Sequence, residues 1–284
     1  MIKLLTVVGH GTNILPHFIE HYERQVDEIN IVVYVSDIAL NLEEEVKNVI
    51  KNYNKIKIVK VIRERVFDWN KVTTLYNFIK YKNPNDWWVI ADVDEFHLYP
   101  DDDLKMLISD CDKNGWDIVR GGFIDRIGIN GTFPELDDSS IWEQFPNAGF
   151  FRYPMSSACP NKICVVKGEI EITSGQHYAK IGDQTTWKHQ GWAHPLIAPY
   201  ETHSVQVHHF KWDKTSIERV KAVADVKQDY AYSKEYEIMY SKLLKTKFQI
   251  NMNDPDFMFE FGLKYPEFNR YRNWNKLIKK IISI

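Results

Sequence analysis

Cysteine is scarce in this chain: three among 284 residues, at Cys111, Cys159 and Cys164. An odd and sparse set is no disulfide framework. Cys159 and Cys164 lack the further ligands that a zinc site needs. They read as reduced, buried thiols, which predicts a cytoplasmic protein. Surplus positive charge is missing too: 36 Lys and Arg face 39 Asp and Glu, for a net charge of -3. Without a global basic field, nucleic acid is disfavoured as the main partner. No apolar run reaches the length of a membrane span. The opening "MIKLLTVVGHG" has no small-residue cleavage site and reads as a first strand. Repeats and low-complexity tracts are also absent. Apolar bulk is plentiful, at 44% hydrophobic and 14% aromatic residues. That is enough for one large domain, or one domain with an appendage.

The first hundred residues alternate two patterns. "IKLLTVV", "INIVVYV", "IKIVKVI" and "WWVIAD" read as strands, and the second is continuously apolar, as a strand covered on both faces should be. Between them, "NILPHFIEHYERQV", "NLEEEVKNVI" and "NKVTTLYNFIKYK" have helical spacing, with Asn41 as an expected cap and Asn83-Pro84 as a stop. Such alternation predicts an α/β fold around a mostly parallel central sheet. Ligands of open parallel sheets sit beyond the carboxyl ends of the strands. The segments to watch are therefore Gly9 and His10 through Asn13, Ser36-Asp37, Arg63 to Lys71, and Asp92 to Glu95. After Pro100 the pattern loosens. "DIVRGGFIDRIGING" reads as a strand and turn, and "ICVVKGEIEITSGQHYA" as a hairpin about Lys167-Gly168. "HSVQVHHFKW" reads as a late strand, and helix dominates from Asp213.

"DWWVIADVDEFHLYP" ends a buried strand on three acids, Asp92, Asp94 and Glu95. Crowded carboxylates repel, and burial sharpens the repulsion. A hard divalent cation, Mg²⁺ or Mn²⁺, relieves it by taking oxygen ligands that it shares with substrate phosphates. On an extended segment Asp92 and Asp94 would face one point. The competing reading is a solvated acidic turn before a helix near Pro100.

This string resembles the metal-binding motif of GT-A fold glycosyltransferases, most closely a family-2-like branch with an Asp-x-Asp-Glu-Phe motif. "LPHFIEHYERQVDEINIVVYVSD", "DRIGINGTFPELDDSSIWEQFP" and "VHHFKWDK" resemble further segments of that branch, so most of residues 1 to 215 is covered. One departure is Gly9-His10-Gly11-Thr12-Asn13, where the family often has Asn-Glu. The resemblance implies a catalytic domain over 1–212, with a nucleotide-sugar half at 1–100 and an acceptor half at 101–212. A helical extension would occupy 213–284. It implies a nucleotide-diphosphate sugar as donor and a glycan or glycolipid hydroxyl as acceptor. Asp94 would hold the metal on the diphosphate, and Asp92 would touch metal and ribose or sugar. Asp37 would contact the base, and Gly9 and His10 would lie along the donor. A late histidine would complete the metal set. His208 and His209 point to opposite strand faces, and His209 is favoured.

Arg65, Asn70 and Lys71 follow the third strand, where a cation meets a diphosphate; solvated surface charge is the competing reading. Transfer with inversion needs a base to take the acceptor proton. Asp125, Glu135, Asp137, Asp138, Glu143 and Asp183 are candidates. Glu143 leads and Asp125 follows, because the aromatic neighbours of Glu143 suit a sugar face and would raise a carboxyl pKa. A cap at Ser139-Ser140 competes for Glu143. His177 is a candidate for the acceptor pocket. The basic terminal stretch "NRYRNWNKLIKKIISI" reads as a packed helix, or as a peripheral contact with an anionic membrane. Two other functions compete: a phosphohydrolase of the haloacid dehalogenase type, and a carbohydrate-binding protein without catalysis.

Overall fold

The computed structural model describes residues 1–151, 156, 159, 161–182, 184–185, 194–225, 233–251, 253–254 and 259–260. They fall into two compact units, one of residues 1–123 with 159–207 and one of 124–158 with 208–284.

In the first unit four strands alternate with three helices. The strands are β1 (Ile2–Val8), β2 (Glu28–Val35), β3 (Ile56–Arg63) and β4 (Trp87–Ile90); the helices are α1 (Leu15–Tyr22), α2 (Leu42–Ile50) and α3 (Trp69–Tyr81). The strands lie parallel in the order β3-β2-β1-β4. β1, β2 and β4 are buried nearly throughout, which their unbroken apolar runs require. β3 exposes Lys57 and Lys60 and sits at the sheet's end, where charge discourages pairing with another chain. Asn41 makes no side-chain cap on α2. The cap of α3 is Asp68, whose carboxylate accepts from Asn70 N and Lys71 N.

Beyond β4 the chain departs from simple alternation. A fifth strand, β5 (Glu95–Leu98), follows the acidic motif directly, then α4 (Leu104–Asn114), capped by Asp103. Strand β6 (Ile118–Ile127) comes next. β7 (Asn147–Phe151) belongs to the second unit, and β8 (Asn161–Lys167) returns to the first. β8 lies antiparallel between β4 and β6. The sheet is thus α/β in class, with most of its paired length parallel and helices flanking it.

The expected hairpin about Lys167-Gly168 does not form. β9 (Glu171–Ile172) pairs with β10 (Ala179–Ile181), which pairs with β11 (Gln184–Thr185), in a separate small sheet. Helix α3 diverts the chain there. Its buried face carries a polar stripe of Thr73, Tyr76, Asn77 and Lys80. Lys80 Nζ donates to Ile170 O at 2.5 Å. Asn77 donates to Ile172 O and accepts from Ile172 N, each at 2.9 Å. Buried backbone groups need partners, and side chains supply them here instead of a strand. The remaining elements of this unit are α6 (Tyr200–His203) and the start of β12 (Val205–His209); α5 (Ile141–Gln144) lies in the second unit.

The second unit pairs β6, β7 and β13 (Phe259–Glu260) antiparallel. Helices α7 (Lys214–Asp225) and α8 (Ser233–Lys245) pack together. Ile127, Phe151, Trp212, Val220, Met239, Leu243 and Ile250 form its core. Gly131 adopts φ +76°, and a Cβ there would lie 1.8 Å from Ile250 O, so only glycine fits this approach. The helices match the pattern expected from Asp213 onward, whereas the basic stretch at 269–284 lies outside the described residues. Among the described residues no helix is long and apolar enough to cross a membrane.

Two tests follow from the α3 stripe. Asn77→Ala should cost about 1–3 kcal/mol, because it strands both polar groups of buried Ile172; urea unfolding with an unchanged m-value is the check. Burial pushes the Lys80 ammonium down from 10.5 to about 7, with Glu171 opposing. Between those values the unfolded chain binds a proton that the folded chain refuses, so stability falls as pH drops from 10.5 to 7. Wild type should therefore gain stability relative to Lys80→Met as pH rises from about 7 to about 10, measured by paired urea titrations.

Candidate active site

Because β1 to β4 are parallel, their carboxyl ends share one edge, and the segments after β1, β2 and β3 meet there. Glu64 N donates to Val35 O at 3.1 Å, Asp37 N to Arg65 O at 3.4 Å, and Tyr34 Oη to Val66 O at 2.8 Å. Gly9 lies against Phe67, whose ring would be 3.0 Å from a Cβ at that position. Gly9 and His10 are half-buried, and Asp37, Arg65, Asn70 and Lys71 are exposed. Lys71 is ion-paired with Glu64, which draws its ammonium to a neighbouring carboxylate.

The acidic motif is not extended. Residues 92–95 form a turn closed by Glu95 N donating to Asp92 O at 2.9 Å, and Asp92 N donates to Glu95 Oε2 at 3.2 Å. The alternation argument for Asp92 and Asp94 therefore does not apply, since the chain reverses into β5 instead of running on. Asp94 is half-buried, and the side chain of Asp92 is 17% exposed. Glu95 turns fully inward. There it meets Lys162, delivered from β8, which is drawn against β4 by the antiparallel ladder.

Lys162 is the residue that sequence reasoning missed. Its buried ammonium lies 2.8 Å from Glu95 Oε1, 3.3 Å from Asp92 Oδ2, 2.8 Å from Gln176 Oε1 and 3.2 Å from Gly175 O. Burial alone would lower its pKa, but Asp92 and Glu95 outweigh it and hold the ammonium above its ordinary value. For Asp92 the balance is reversed. Burial, aided by Glu95 and Asp94, overcomes Lys162 and raises the carboxyl to about 8. Gln176 reaches the ammonium from a backbone at φ +55°, beside Gly175 at φ +72°. A left-handed glutamine is strained by about 1–3 kcal/mol and persists only where its surroundings fix it.

Asp92 Oδ1 is buried and accepts no hydrogen bond. With Oδ2 on Lys162 and Glu95 committed, Asp92 Oδ1 is the oxygen of this cluster that would meet a divalent cation, and Asp94 lies two residues on in the same turn. The other ligands would be diphosphate oxygens. Among the described residues no three His, Cys, Asp or Glu side chains gather to hold a metal alone.

Histidines without an expected role also have partners here. Tyr22 Oη donates to Glu95 O at 3.0 Å and accepts from His97 N at 2.9 Å, while His21 Nε2 donates to His97 O at 2.9 Å. Nδ1 of His177 donates to Asn161 O at 2.9 Å, and burial lowers that imidazole to about 4. His177 therefore pins the 174–178 turn as a neutral ring.

In the second unit Asp125 is buried and accepts three hydrogen bonds. His209 Nδ1 donates to Oδ1 at 3.0 Å, Trp212 Nε1 to Oδ1 at 3.1 Å, and Phe151 N to Oδ2 at 3.2 Å. A carboxylate only accepts, so His209 carries a proton on Nδ1. Asp125 thereby orients a histidine. His208 points to the opposite strand face, buried with its ring 4.9 Å from Trp142. Glu143 is exposed on α5, while Ile141 and Phe145 turn inward. The aromatic burial expected around Glu143 is not there, and Ser140 makes no side-chain cap. Glu135 pairs with Lys214 at 2.7 Å, Asp137 accepts from Ser139, Asp138 is exposed, and Asp183 lies outside the described residues.

Fold and site together define an α/β protein with a polar, acidic site at the carboxyl edge of its parallel strands. No family model and no curated protein matches the chain. Two solved structures are similar to it in part. One is a 4-diphosphocytidyl-2C-methyl-D-erythritol synthase, at 13% identity over 60% of this chain and 77% of that one, with a TM-score of 0.32. The other is a putative glucose-1-phosphate thymidylyltransferase from Bacillus anthracis in complex with a sucrose, at 10% identity over 84% and 99%, with a TM-score of 0.39. Neither likeness bears on what this chain does.

The Lys162 cluster makes a quantitative prediction. Lys162→Met should cost about 3–5 kcal/mol by stranding buried Glu95, and the double variant Glu95→Gln/Lys162→Met should regain at least half of that. A double-mutant cycle in urea measures both.

Proposed function

We propose that the protein is a metal-dependent glycosyltransferase that moves a sugar from a nucleotide-diphosphate sugar to a hydroxyl of a glycan or glycolipid, with inversion. The observation that carries this reading is Asp92 Oδ1, buried without a partner beside Asp94 at the strand edge where nucleotide ligands bind. The resemblance of "WWVIADVDEF" to the GT-A motif points the same way.

On this reading Asp92 and Asp94 hold Mn²⁺ or Mg²⁺. The ion, when bound, stabilises charge on the departing nucleoside diphosphate. Lys162 keeps Glu95 out of the ligand set and fixes the Asp92 rotamer. Gly9 and His10 lie along the donor, Asp37 meets the base, and Arg65 and Lys71 face the diphosphate from the segment after β3. In the second unit Asp125 holds the His209 ring through Nδ1–H; Asp125, Glu143 and His209 are the candidates for the acceptor base, and His209 is also the candidate for the late metal ligand that the resemblance implies.

Incubation with nucleotide sugars and Mn²⁺ tests the reaction, and donor hydrolysis or transfer is the expected outcome. Phosphate release from simple monoesters would favour a phosphohydrolase instead. Sugar binding without turnover would favour a carbohydrate-binding protein. Nucleoside diphosphates should raise the melting temperature more with Mn²⁺ than without, and Asp94→Ala should remove that increment. An unchanged increment takes Asp94 out of the site. His209→Ala separates the two histidine roles. As a base, its loss lowers kcat at unchanged Mn²⁺ demand; as a ligand, it raises the Mn²⁺ needed for half-maximal rate.

A further inference from the structure

On the strand face opposite the Asp125–His209 pair, Arg126 is enclosed by rings. Its guanidinium lies 5.4 Å from the centre of the Trp142 ring and 5.9 Å from that of Phe210. Trp142 and Phe210 meet edge to face at 5.0 Å, so the two rings form a corner. Arg126 is half-buried, and its Nε–H is fully buried without a hydrogen-bond acceptor. Among the described residues no carboxylate pairs with it. Burial lowers even this guanidinium to about 10. Asp125, next to Arg126 in sequence, is engaged with His209.

A guanidinium withdrawn from water wants a planar anion, which it grips through parallel N–H bonds. Here the aromatic faces supply part of the compensation, and among the described residues no anion completes it. Trp142 is itself half-buried, which leaves part of its ring open on α5. An indole face suits the C–H side of a pyranose, and a cation beside it suits an acidic substituent on that ring. We infer that Arg126, Trp142 and Phe210 form a subsite for a saccharide bearing a carboxylate or a phosphate. Naming that saccharide the acceptor rests on the glycosyl-transfer reading; the binding itself does not.

The test uses the full chain and reads tryptophan fluorescence during titration with glucose, glucuronate and glucose 6-phosphate. At least one anionic sugar should bind roughly tenfold tighter than glucose, the scale of one charge-assisted hydrogen bond. Preference for glucuronate identifies a carboxylate ligand, and preference for glucose 6-phosphate a phosphate ligand; either supports the subsite. Arg126→Met should erase the preference, and Arg126→Lys, which keeps charge but loses the fork, should retain only part of it. Should the methionine variant not fold, the wild type still decides: high salt should weaken the anionic sugar and leave glucose unaffected. Equal binding of all three sugars, no binding of any, or a preference that survives in folded Arg126→Met would overturn the inference. The metal-dependent nucleotide shift is measured separately, so either idea can fail while the other stands.

Discussion

One buried ammonium holds the candidate active site together. Lys162 sits between Glu95 and Asp92, and Gln176 and Gly175 supply the rest of its coordination. Burying that many charged groups is costly unless each is paired and hydrogen-bonded. Three separate parts of the chain must therefore arrive in register: the turn after β4, strand β8, and the left-handed turn at 175–176. Besides the unpartnered Nε2 of Gln176, what remains over is one carboxylate oxygen of Asp92, left without a proton donor. The chemistry proposed for the protein begins at that leftover atom.

The second unit uses the same logic on a smaller scale. Asp125 is surrounded by three donors, of which only His209 is able to move a proton. Trp212 and the Phe151 amide fix the carboxylate, the carboxylate fixes the ring, and the ring presents one nitrogen. Across the strand, Arg126 lies in the reverse condition, a charge with rings around it and no counter-ion among the described residues. Alternation along β6 sends two adjacent residues of opposite sign to opposite faces.

Much of the first unit was legible because its signals are periodic. Unbroken apolar runs gave β1, β2 and β4, and helical spacing gave α1 to α3 near their observed bounds. The shared edge of the four parallel strands followed from their order alone. Isolated residues were harder. Lys162 gives no sign of burial in "NKICVVK", since its carboxylate partners lie 67 and 70 positions away and meet it through the ladders of β8. β5 was hidden because "EFHLYP" is short and follows acids that also suit a helix start. The false hairpin at Lys167-Gly168 came from reading a glycine as a turn between partners, when the actual partner is a helix. Glu143 looked enclosed because its sequence neighbours are aromatic, yet a one-turn helix sends neighbours in different directions.

The polar stripe on α3 has a geometric meaning of its own. Asn77 and Lys80 lie three positions apart on the helix, and the residues they hold, Ile172 and Ile170, two positions apart on the facing chain. The length of the lysine stem absorbs the mismatch. If this segment slid by one residue, an ammonium and an amide would both lose their acceptors in a dry interior. The helix thus acts as a ruler for a stretch of chain outside the main sheet, and the alignment of the small β9–β10 sheet is inherited from side chains on a neighbouring element.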